Sequence, residues 1–96
     1  MGKIYQGQTD LTIALSTEKD LSGATSLKIK FKKPDKIEGE WTATTPNAVE
    51  GIIEYEVDSN DIDTVGKWTV WAKIIDAGGL ISIGEPTTFM VYKEGM

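Results

Sequence analysis

The sequence contains no cysteine and no histidine. Without cysteine there are no disulfides and no thiolate metal sites. Without histidine the chain lacks the commonest acid–base group of neutral pH and the commonest metal ligand. A Ser-His-Asp triad has no base here, however many serines and threonines surround it. No apolar run approaches the length of a membrane-spanning helix. The N-terminus, Met1-Gly2-Lys3-Ile4-Tyr5-Gln6, has no apolar stretch behind its positive charge, so it does not read as a secretory signal. A basic surplus is missing as well: 10 basic residues against 15 acidic ones give a net charge of -5. That speaks against non-specific nucleic-acid binding, which needs a basic footprint. The same charge is ordinary for a soluble protein and names no partner. The 96 residues are enough for one domain, residues 1–96, with a modest core. The expectation is a small protein made in the cytoplasm, either complete or a piece of a longer one.

Alternation of apolar and polar residues is what the sequence does have. The run from Gly66 to Ile75 is the longest apolar-rich stretch. Trp68, Val70, Ala72 and Ile74 share one face of a strand; Thr69, Trp71, Lys73 and Ile75 share the other. Apolar groups on both faces place this strand centrally, with neighbours on each side. Thr25 to Lys33 puts Leu27, Ile29 and Phe31 opposite Lys28, Lys30 and Lys32. Pro34-Asp35-Lys36 ends that strand, because proline has no amide for the ladder. Further strands are expected at Lys3–Gln6, Asp10–Thr17, Gly39–Thr45, Gly51–Val57, Leu80–Ile83 and Thr88–Tyr92. Turns are expected at Ser22-Gly23, Thr45-Pro46-Asn47 and Asp76-Ala77-Gly78-Gly79, and a bulge at an edge at Gly84-Glu85-Pro86. Six or seven short strands spaced by turn signals, with no sustained helical period, predict an all-β sandwich or barrel.

The stretch Asp63-Thr64-Val65-Gly66-Lys67-Trp68 resembles the corner that enters the sixth strand of immunoglobulin-like domains. Trp68 stands in the place of the corner tyrosine and Val70 in the place of the second cysteine. By this reading the tyrosine's hydroxyl-to-backbone bond is lost. The fold class expected is therefore an immunoglobulin-like antiparallel β-sandwich of about seven strands. Read in order, Ile4-Tyr5-Gln6-Gly7-Gln8, Asp20 to Lys30, Lys33-Pro34-Asp35, Tyr55, Asp61-Ile62-Asp63, Gly66 to Val70 and Phe89 to Tyr92 resemble small immunoglobulin-like structural proteins of tailed bacteriophages. The chain is similar to the N-terminal domain of phage baseplate upper proteins. The resemblance implies a non-enzymatic virion component of the decoration, neck, tail or baseplate, docking on other phage structural proteins, with no cofactor. It implies neither nucleic acid nor membrane as partner and leaves a homo-oligomer open. The alternative is a ligand-binding module, most plausibly for carbohydrate through exposed aromatics.

Candidate chemistry is thin. Asp58-Ser59-Asn60-Asp61-Ile62-Asp63 clusters acids, but Ile62 stands where a calcium loop needs a ligand and no suitable glycine follows. Aspartates that bond their own turn explain the run more simply. Glu38 with Glu40, and Glu54 with Glu56, are same-face pairs on strands, whereas a glycosidase needs carboxylates facing each other across a cleft. No catalytic or metal-binding residue is assigned. Trp41 and Trp68 fall on inward positions and read as core. Trp71 falls outward, with Ile75, Lys73 and the neighbouring Lys28, Lys30 and Lys32. These six residues form the expected interface, a basic face with apolar groups at its centre, while Glu40, Glu54 and Glu56 are expected to make the other sheet acidic.

Overall fold

A computed structural model describes residues 3–95. Nine strands are present among them: β1 (Ile4–Tyr5), β2 (Thr12–Ser16), β3 (Ala24–Lys32), β4 (Glu38–Thr42), β5 (Thr44–Asn47), β6 (Ile52–Glu56), β7 (Gly66–Asp76), β8 (Ile81–Ile83) and β9 (Thr87–Tyr92). They build an immunoglobulin-like β-sandwich. The larger sheet runs β1-β9-β7-β3-β4, with β8 also beside β7; the smaller runs β2-β6-β5.

β7 is the organising strand. Trp68, Val70, Ala72 and Ile74 are buried, and the residues between them are half-buried. It pairs with β3 on one side and with β8 and β9 in succession on the other. Gly84-Glu85-Pro86 separates β8 from β9, so the two are halves of one interrupted strand, as the glycine and proline there predict. All pairings are antiparallel except β1 with β9, which is parallel.

One cluster of buried residues joins the sheets. β2 and β6 supply Ile13 and Ile53; β3, β4, β7 and β9 supply Ile29, Trp41, Trp68, Val70, Ala72, Ile74 and Val91. Aromatic rings run through it in series. Phe89 stacks on Trp68 at 5.8 Å, Trp68 on Trp41 at 6.2 Å, and Trp41 on Tyr55 of the opposite sheet at 5.0 Å. Offset contacts of this kind add to what area burial alone contributes.

Two local expectations are corrected. Thr45-Pro46-Asn47 is not a turn but part of β5, and the chain turns after it, at 48–51. Proline is tolerated there because β5 is the outer strand of its sheet. The expected single strand Gly39–Thr45 is two. β4 pairs with β3, the chain crosses between sheets at buried Ala43, and β5 pairs with β6.

The corner before β7 is closed, with one change of chemistry. Trp68 has no exposed surface, and its indole N–H donates to the Thr64 carbonyl oxygen at 2.8 Å. The expected loss of the corner bond is therefore overturned: the indole makes the hydroxyl's bond to the backbone. Lys33 Nζ lies 5.6 Å from the Trp68 ring centre and 2.9 Å from Asp63 Oδ1, which clamps the end of β3 to the same corner.

Candidate docking face

The cross-strand register fixes what the outer surface of the larger sheet carries. In β3, Lys28, Lys30 and Lys32 stand opposite Lys73, Trp71 and Thr69 of β7. On the other side of β7, Lys73 faces Ile83 and Ile75 faces Ile81, while Lys67 faces Met90 of β9. Inward and outward residues alternate strictly along β7, so all six residues expected at the interface (Trp71, Ile75, Lys28, Lys30, Lys32 and Lys73) lie on this one face.

The face is less uniformly basic than expected. β4 belongs to this sheet, so Glu40 lies beside Lys30 and Lys28, with Nζ–O distances of 3.1 and 3.6 Å. The hydrogen bond from Lys30 holds the Glu40 carboxyl below its ordinary range. The expectation that Glu40 joins Glu54 and Glu56 on the opposite sheet is thus wrong. The chain changes sheets at Ala43, three residues after Glu40, and a strand's alternation does not say which sheet it joins. Lys32, Lys67 and Lys73 have no carboxylate within salt-bridge distance among the described residues.

The sequence reading missed the apolar half of this surface. Ile81 and Ile83 are 57 and 66 % exposed. Trp71, half-buried, forms a shallow open hollow of about 300 Å³ with Thr69, Ile83, Gly84 and Pro86. The hollow has almost no polar lining beyond Thr69. Their direction comes from the register: pairing Ile74 with Ser82 forces Ile81 and Ile83 to the outer side. A contiguous apolar strip rimmed by charge is unusual on a monomer's surface and marks interaction sites.

The acidic run has another explanation. Asp61 Oδ2 accepts hydrogen bonds from the Asp58 amide at 2.7 Å and the Tyr55 hydroxyl at 2.6 Å. Asp63 is turned to Lys33, and Ile62 between them is fully buried. The acids thus serve the corner separately, and no group of three or more metal-ligating side chains comes together among the described residues. Asp61 leaves its mark on Tyr55, whose pKa is pushed up to about 12, chiefly by that hydrogen bond and then by burial. Glu54 and Glu56 lie on the outer surface of the smaller sheet, where the described strands carry no lysine.

No protein-family model matches this chain, and no curated protein matches it. Among solved structures, CopC from Methylosinus trichosporium OB3b is similar across 100% of this chain and 89% of its own, with a TM-score of 0.63 and 13% sequence identity. At that identity the likeness concerns the fold, which both chains share.

Proposed function

We propose that this chain is a non-enzymatic structural protein of a bacteriophage virion, a decoration, neck, tail or baseplate component that docks on other virion proteins. The observation that carries the docking part is the outer face of the larger sheet. Trp71, Ile75, Ile81, Ile83 and Pro86 offer apolar surface there, next to Lys32, Lys67 and Lys73, which no carboxylate among the described residues pairs with. A ring with apolar neighbours and a charged rim has the make-up of an interface anchor. The virion assignment rests on the order of short motifs that resembles small immunoglobulin-like phage proteins. Carbohydrate binding is the competing reading. It would use Trp71 as a stacking platform, but a sugar also needs hydrogen-bonding groups around its rim, and the hollow supplies few.

The test is Trp71→Ala. Its side chain lies on the outer face and outside the core cluster, so folding stability should change by less than about 1 kcal/mol. Incorporation into purified particles should be lost. Normal incorporation would remove the docking face, and unfolding of the variant would show that Trp71 belongs to the core. Quenching of tryptophan fluorescence by glycans, abolished in Trp71→Ala, would favour the carbohydrate reading.

A further inference from the structure

The docking face needs a cover, and the charges select one. On the outer surface of the larger sheet, Lys28, Lys30, Lys32, Lys67 and Lys73 stand against Glu38 and Glu40, a surplus of three positive charges. The whole chain is -5, so the remainder is strongly acidic. The opposite surface holds part of that acidity. Glu54 and Glu56 project from β6, and Asp10, Glu56 and Asp58 rim a shallow groove of about 270 Å³ beside β2. Between these acids the smaller sheet presents Ala14 and Ile52, with Thr12, Ser16 and Thr44.

We propose that the larger sheet's outer face docks on the smaller sheet's outer face of a second copy of this chain, head to tail. The proposal rests on the docking reading and names its partner. Two copies meeting by their larger sheets would bring two lysine-rich surfaces together, and like charges across an interface are strongly unfavourable. The head-to-tail contact instead sets Lys32, Lys67 and Lys73 toward carboxylates and lays Trp71, Ile75, Ile81 and Ile83 over Ala14, Ile52 and threonine methyls. The molecule measures 46 × 25 × 20 Å, so its broad faces accommodate the roughly 800 Å² per partner of a standard interface. Because the two surfaces differ, each docked pair leaves one of each free. The contact therefore propagates into a ring or a filament and does not stop at a dimer.

The experiment is sedimentation of the purified chain, alone and in mixtures. At low ionic strength the wild type should grow in mass with concentration, and raising salt to about 0.5 M should weaken association roughly tenfold or more. Trp71→Ala blocks one face and Glu54→Lys/Glu56→Lys blocks the other, so each variant should be monomeric by itself. Mixed, they retain one intact pair of faces and should form 1:1 dimers and nothing larger. A wild type that stays monomeric at low salt would overturn the inference. So would self-association that Glu54→Lys/Glu56→Lys leaves untouched, since that marks a symmetric contact. In either case, loss of Trp71→Ala from particles would leave the docking reading standing with a different partner. If a variant fails to fold, the salt dependence of the wild type still decides: association that salt does not weaken contradicts the charge argument.

Discussion

The indole N–H of Trp68 donates a 2.8 Å hydrogen bond to the carbonyl oxygen of Thr64, four residues upstream. That bond ties the start of β7 to the corner it emerges from. The ring that makes it also fills the centre of the sandwich, so one side chain fixes both the bend and the packing. Trp68→Phe keeps much of the ring but leaves the Thr64 carbonyl without this donor, and should cost about 1–3 kcal/mol. Trp68→Ala opens a cavity as well and should cost about 3–5 kcal/mol. Urea unfolding midpoints, compared at unchanged slope, measure both.

Gly66 should not tolerate a side chain. Its φ is +129°, and a Cβ there would lie 2.7 Å from Pro34 Cγ, against a ring that has little freedom to retreat. Gly66→Ala should destabilise the fold by about 1–3 kcal/mol through backbone strain and this clash. Gly23→Ala is the control. Nothing lies within 4 Å of a Cβ at Gly23 and its φ is not left-handed, so its thermal midpoint should stay the same or rise slightly.

The Lys33–Asp63 contact should appear in the acid limb of stability. Hydrogen bonding from Lys33 is the largest influence on Asp63 and holds its carboxyl below the ordinary value of 3.8. A depressed folded pKa gives stability that is present above the unfolded value and is lost as pH falls through the folded one. Wild type should therefore exceed Lys33→Met at neutral pH, and the difference should narrow as Asp63 is protonated, leaving only what the Lys33 contact with the Trp68 ring contributes. The gap should be modest, because Asp63 remains 44% exposed. Unfolding midpoints of the two proteins across the acid range measure it.

Tyr55 should titrate late. With its pKa raised from 10.0 to about 12, the hydrogen bond to Asp61 contributes stability that is complete below pH 10.0 and is lost as pH rises through about 12. Phenolate absorbance should show a delayed step from Tyr55. Tyr55→Phe should delete that step, and Asp61→Asn should move it back toward the ordinary value.

How much of this was legible in the sequence follows from what alternation encodes. Alternation says which residues share a face of a strand. That was enough to put Trp68, Val70, Ala72 and Ile74 inside and Trp71 outside, and to gather Lys28, Lys30, Lys32 and Lys73 with Trp71 and Ile75. It does not say which strands are neighbours. Glu40 was placed on the wrong sheet for that reason, because the crossover at Ala43 depends on pairing with β3 and β6, both distant along the chain. The parallel pairing of β1 with β9 was hidden in the same way. Ile81 and Ile83 were missed because three residues are too few to show a period, and their outward direction emerges only from their register with β7. The corner bond was misjudged on chemical grounds: an indole N–H is a donor just as a phenol is.

The most direct test of the docking face is hydroxyl-radical footprinting of the protein free in solution and within purified virions. Trp71, Ile81, Ile83 and Pro86 are predicted to react in the free protein and to become protected in the particle, while Trp68 stays unreactive in both. Equal reactivity of Trp71 and Ile83 in the two states would contradict the account.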